Sequence, residues 1–232
     1  VIVTTKEKPY LVSGNHPAAM AQMKLDVVQP CLAKLSMVDM GQFVIYASPD
    51  GLVAAGGNSA EIITGQHMTA DQWKELKPES IRAYRVDDRY LAFYDTGTKR
   101  GSFEFSPQTG FSFFDHYLQA GYLDDDTGDL YLKDGLELST WQTGERGEYS
   151  WLSKEWHVPE LGGLSAAKLD ADSYPVQFEY IVDGVTRIDV SITTGRAFRL
   201  PSQAGQRLAK IKLSGESAVS RIQLATSMSE IR

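Results

Sequence analysis

The chain has 232 residues, of which 42% are hydrophobic and 23% charged, and a formal net charge of −7. This is ordinary globular composition with enough apolar material to bury a core, and no apolar run approaches the ~20 residues of a membrane-spanning helix. Acidity without a basic patch argues against a chain built to grip phosphates. The single cysteine, Cys31, excludes an intramolecular disulfide and a thiolate metal cluster.

The charge is unevenly spread. Residues 1–156 hold 14 Lys and Arg against 22 Asp and Glu, while residues 157–232 hold 9 against 8. The break coincides with Trp156-His157-Val158-Pro159-Glu160-Leu161-Gly162-Gly163, which reads as a linker. The expected domains are therefore 1–156 and 157–232. The first ten residues, VIVTTKEKPY, lack a basic leader and a long apolar region. Val1 is already strand-like and no Met precedes it, so the expectation is a piece cut from a longer protein.

In chain order, Asn15-His16-Pro17 is expected to open a short helical turn, and Pro30 opposes a long helix. Residues 42–55 read as strand, turn, strand. Ser48-Pro49-Asp50-Gly51 places Pro, Asp and Gly at the favoured second, third and fourth positions of a type I turn. Gly51, Gly56 and Gly57 fit no phosphate-cradling spacing, and no Lys follows them. The small residues 54–57 are expected to permit close backbone packing. Glu61-Ile62-Ile63 continues the unit as a further strand.

Thr69-Ala70-Asp71-Gln72 is a capping box that predicts a helix with Trp73 and Leu76 on one face, ended by Lys77-Pro78. A second hairpin runs from Arg89–Tyr94 through a polar turn into Ser102-Phe103-Glu104-Phe105, followed by residues 111–114. A third runs from Asp129-Leu130-Tyr131-Leu132 through Lys133-Asp134-Gly135 into residues 136–141, followed by Tyr149-Ser150-Trp151. The hairpins start near residues 42, 89 and 129. Short strands recurring at about 40–47 residues are the sequence sign of propeller blades, and aromatic and β-branched strand composition supports it. Three meanders of one irregular sheet remain the alternative.

Beyond residue 164 the pattern changes. Residues 177–182 meet Asp183-Gly184, and residues 185–192 alternate, with Thr186, Ile188, Val190 and Ile192 on one face. Residues 208–213 and 219–225 also alternate, around a Ser214-Gly215 turn. Four or more half-buried antiparallel strands predict a small β-sandwich. The expected fold class is all-β: about three partial or irregular propeller-like blades with a short helical insertion, followed by a C-terminal antiparallel β-sandwich.

Signals for chemistry are sparse. His16, His67, His116 and His157 form no i, i+4 pair and no HExxH, and G-x-S-x-G is absent. Cys31 reads as a small buried apolar residue with no catalytic motif around it. Asp124-Asp125-Asp126-Thr127-Gly128-Asp129 resembles the start of a calcium loop. Its twelfth position is Gly135, however, where an EF-hand needs a bidentate Glu. A glycosidase needs carboxyls held roughly 5 to 9.5 Å apart. Glu104, Asp115 and Glu137 are available, but Glu104 and Glu137 alternate with apolar neighbours as the solvent face of a strand would. The aromatics read as core and inter-blade packing, with sugar stacking as the alternative. No catalytic residue, cofactor site or metal site is assigned.

Several stretches together resemble a known family. They are Pro9-Tyr10-Leu11-Val12-Ser13-Gly14, Lys24-Leu25-Asp26 through Cys31 to Ser36-Met37-Val38-Asp39-Met40-Gly41, and Val44-Ile45-Tyr46-Ala47-Ser48-Pro49-Asp50-Gly51-Leu52-Val53. Trp151-Leu152-Ser153-Lys154, Leu169-Asp170-Ala171-Asp172-Ser173-Tyr174-Pro175-Val176 and the ending Ile222-Gln223-Leu224-Ala225-Thr226-Ser227-Met228-Ser229-Glu230-Ile231 join them. The chain looks like a phage or prophage virion structural protein. Within that set it resembles the propeller-containing tail tubular (nozzle) proteins of short-tailed phages, which join the head portal to the tail tip.

The resemblance covers most of the chain and rests on turns and strands. It implies a non-enzymatic virion component, synthesised in the host cytoplasm and assembled as a homo-oligomeric ring beside portal, adaptor or tail proteins. DNA would cross the ring without specific binding, and no membrane span is expected. Negative lining would keep such DNA mobile, so Asp124, Asp125, Asp126 and Asp129 are the candidate channel-facing residues. The alternatives are a carbohydrate-binding or glycoside-hydrolysing propeller and a secreted, calcium-stabilised adhesion module.

Overall fold

The structure, a computed structural model, describes residues 1–144, 146–158, 163–201 and 208–231. The fold is all-β: every sheet is antiparallel and the one α-helix among the described residues is short. The chain divides into two compact units, Val1–Thr143 and Gly144–Arg232.

The first unit is a run of four small sheets. The first holds β1 (Ile2–Val3), β2 (Tyr10–Ser13) and β3 (Ala21–Lys24). The second holds β4 (Val38–Asp39), β5 (Val44–Ser48), β6 (Gly51–Gly56) and β7 (Ser59–Ile62). Helix α1 (Ala70–Glu75) follows. The third sheet holds β8 (Arg82–Val86), β9 (Arg89–Asp95), β10 (Arg100–Ser106) and β11 (Gly110–Phe114). The fourth holds β12 (Ala120–Leu123), β13 (Leu130–Asp134) and β14 (Glu137–Thr140). Each is a meander whose neighbours in space are neighbours in sequence. They are separate sheets, not one irregular sheet.

Side-chain alternation packs these sheets in series. On β9, Tyr90, Ala92 and Tyr94 join a core with Ile45, Ala47 and Leu52 of the second sheet. The intervening Leu91 and Phe93 join a different core with Leu130 and Leu132 of the fourth. On the other face of the second sheet, Tyr46, Val53 and Ala55 meet Ile2, Leu11 and Leu25. A strand buried on both faces reads as a continuous apolar run, which is what Tyr90-Leu91-Ala92-Phe93-Tyr94 is. Removing a Phe such as Phe103 from water stabilises by roughly 1.5–3 kcal/mol, and the third sheet places Phe93, Phe103 and Phe105 at 1% exposure or less.

Local signals act as the sequence predicts. Ser48 and Gly51 face each other across the β5–β6 turn, and the Ser48 hydroxyl donates to the Gly51 carbonyl at 2.7 Å. A Cβ on Gly56 would lie 2.6 Å from Phe43 Cβ, so the strand runs close to that segment. Thr69 caps α1: its Oγ1 accepts from Gln72 N at 3.3 Å while Gln72 Oε1 accepts from Thr69 N at 3.0 Å. Trp73, 1% exposed, donates Nε1–H to the Ser48 carbonyl at 2.8 Å and so locks the helix under the hairpin. A short 3-10 turn at Pro17–Ala19 starts where Asn15-His16-Pro17 predicts.

Several local expectations are corrected. β15 (Tyr149–Leu152) is not the outer strand of the third repeat. It pairs with a strand of the second unit, because Tyr149 buries against that unit's core. Trp156-His157 is not linker but a short strand, β16, on the same partner. The Pro159–Gly162 part of the expected linker lies outside the described residues. Glu104 is not on a solvent face: β10 is covered on both sides, and Glu104 is 8% exposed with Arg89 Nη1 2.9 Å from its Oε2.

The second unit holds two sheets over one core. One orders β15, β21 (Leu208–Gly215), β18 (Val176–Val182) and β19 (Val185–Ile192), with β16 also on β21. The other orders β20 (Phe198–Arg199), β17 (Ala166–Ala171) and β22 (Val219–Ala225). Leu169, Val176, Phe178, Tyr180, Ile211 and Leu213 share the core between them, as a sandwich requires. The predicted Ser214-Gly215 turn is instead the end of β21, and the chain then crosses from one sheet to the other.

Candidate functional site

The acidic loop joins β12 to β13 at one end of the fourth sheet. Its backbone closes on itself: Asp124 N donates to the Asp129 carbonyl at 2.9 Å and Gly128 N to the Asp124 carbonyl at 2.7 Å. Asp124 Oδ1 accepts from Asp126 N at 2.9 Å and from Thr127 N at 3.4 Å. This side chain therefore shapes the loop, as Asp does in turns. Asp125, Asp126 and Asp129 are exposed around it. The loop is thus a self-bonded, negatively charged knob in which Asp124 is the organiser and the other three form the charged surface.

The remaining candidates do not meet. Glu104 sits on β10 against Arg89, Asp115 lies just after β11, and Glu137 starts β14. Among the described residues, no group of three His, Cys, Asp or Glu could hold a metal ion. His16 Nδ1 accepts from Ala18 N at 3.3 Å, and His67 sets its ring edge-on to Phe105 at 5.7 Å. The Cys31 thiol donates to the Ala33 carbonyl at 3.3 Å.

A groove in the second unit was not among the expectations. Its volume is about 490 Å³, and it opens between the edge strands β15 and β22. Tyr149, Trp151, Leu213, Val219 and Ile222 line it, with Trp151 46% exposed. Burial and the nearby Asp172 carboxylate push the Tyr149 phenol upward, and among the described residues its hydroxyl has no hydrogen-bond partner. Arg146 hydrogen-bonds Asp172 and holds that carboxyl below its ordinary range. The signal for the groove was Trp151-Leu152, two large apolar neighbours on opposite faces of one strand and both exposed.

No family model matches the chain, and no curated protein matches it. No helix among the described residues is long and apolar enough to cross a membrane.

Proposed function

We propose that this chain is a non-enzymatic structural component of a phage virion, a tail nozzle or head-to-tail connector subunit. It assembles as a ring around a channel that DNA crosses, beside portal, adaptor or tail proteins. The observation that supports this reading is the serial packing of small meander sheets of three or four strands, two of them with the four strands of a propeller blade, ahead of a sandwich unit. The stretches that resemble the nozzle proteins lie in this scaffold: residues 44–53 make the β5–β6 hairpin, and residues 169–176 lead from β17 into β18. The knob of Asp125, Asp126 and Asp129, shaped by Asp124, faces the channel and repels phosphates, so DNA slides and is not held.

The deciding experiment is peptide mass spectrometry on purified particles from the induced source culture. Peptides from this chain at a copy number near that of the portal are expected. Absence from intact particles, with the protein free in the lysate, would sink the reading. A second reading, carbohydrate binding, draws on exposed Trp151 beside the apolar groove, since aromatic faces suit sugar stacking. Glycan-array signal that disappears in Trp151→Ala would favour it.

A further inference from the structure

The series of sheets in the first unit has two ends. The second and third sheets bury both faces, whereas the fourth covers only one. Its other face presents Tyr122, Tyr131 and Leu138, 65%, 37% and 76% exposed. Tyr122 and Tyr131 are cross-strand neighbours, as are Lys133 and Leu138, so these side chains form one continuous surface. Three large apolar groups on one small sheet face are what the internal faces of the series also carry.

The first sheet ends the series on the other side. It buries Ile2 and Leu11 inward and turns Val3, Tyr10 and Val12 outward. Lys24 lies opposite Tyr10 in the register, with its ammonium 6.0 Å from the ring centroid. Lys6 and Lys8 sit in the loop at this same end of the sheet. Residues 1–24 thus set Lys6, Lys8 and Lys24 against Glu7 alone. At the end of β13 away from the knob, Asp134 and Glu137 stand against Lys133 alone. One terminal face is apolar with a basic margin, and the other is apolar with an acidic margin.

We infer that the occupant of the fourth-sheet face is the first-sheet face of a second copy of this chain. The contact repeats between copies the face-to-face packing that the unit already uses three times within itself. Opposite margins attract at the contact, while two like faces would set acid against acid or base against base. The acidic knob and the Asp134–Glu137 turn lie at opposite ends of β13, so the turn can meet the lysines while the knob stays open. The contact is heterologous, so each copy keeps one unused face and the assembly closes into a ring or grows. This deepens the ring reading by naming its surfaces, but it needs no particle to be tested.

The experiment is sedimentation velocity on the purified chain over a concentration series, with two variants. Tyr122→Glu with Leu138→Glu spoils one face, and Lys6→Glu with Lys24→Glu spoils the other. The parent is expected to self-associate, and each variant to weaken this by about tenfold or more. A mixture of the two variants retains one good pair of faces and is expected to stop at a 1:1 dimer. A parent that stays monomeric up to roughly 1 mM would overturn the inference. So would either variant self-associating as well as the parent, or a mixture that gives no dimer. If a variant loses its near-UV dichroism, Val3→Cys and Tyr131→Cys in a Cys31→Ser background replace it. A disulfide joining the two positions between copies is then expected, and its absence overturns the contact. Detection in virions with no association in solution would sink this inference and leave the virion reading standing.

Discussion

At the scale of single residues, the positions that matter most are those where a neighbour leaves no room. A Cβ on Gly51 would lie 2.3 Å from Thr64 Oγ1, the atom that accepts the Leu52 N–H at 3.1 Å. Moving Thr64 aside breaks that bond, so Gly51→Ala is expected to cost about 1–3 kcal/mol, checked by urea unfolding. The turn itself was legible, since Pro49-Asp50-Gly51 states it in local chemistry. The conflict with Thr64 was not, because it joins residues that only the folded sheet brings together. Charge pairing was equally hidden. Nothing local marks Arg146 as the partner of Asp172, yet it keeps that carboxyl depressed. A depressed native value contributes stability above the unfolded-state value, and this is lost as pH falls through the native one. In Arg146→Ala the Asp172 value is expected to move back toward the ordinary ~3.9, followed by NMR titration. Parent and variant should differ in stability at neutral pH and converge in acid.

At the scale of elements, capping and alternation made most strands and the helix readable. Thr69 and Gln72 form the reciprocal bonds their spacing promises, and Thr69→Ala is expected to cost about 1 kcal/mol. The loss should appear as faster hydrogen exchange in α1, with the sandwich unit unchanged. The two-residue strands β4, β16 and β20 escaped sequence reading because two residues cannot show a period, and β2, β3, β8, β12 and β17, four to six residues each, escaped it as well. β15 was readable as a strand but not assignable to a sheet, because β21, the strand it pairs with among the described residues, lies far along the chain. Glu104 misled for a related reason. Alternation with apolar neighbours signals a solvent face only when one side of the sheet is open, and here Arg89 answers the carboxylate inside a covered strand. The acidic loop was legible as charge, whereas the inward role of Asp124 needed coordinates.

At the scale of the molecule, each unit carries its own core, so residues 144–232 are expected to fold when expressed alone. A cooperative thermal transition monitored by circular dichroism would bear this out, and a flat melt would contradict it. The composition break at residue 156 does not coincide with the division at residues 143 and 144, because β15 and β16 both pair with β21 of the second unit. The serial packing of the first unit also bears on descent. Odd and even positions of β9 answer to different neighbouring sheets, so Tyr90, Ala92 and Tyr94 are free to drift together with the second sheet. Leu91 and Phe93 drift separately with the fourth. Among diverging copies of this gene, adjacent codons of one strand should carry independent histories, while codons some forty residues apart should change in step.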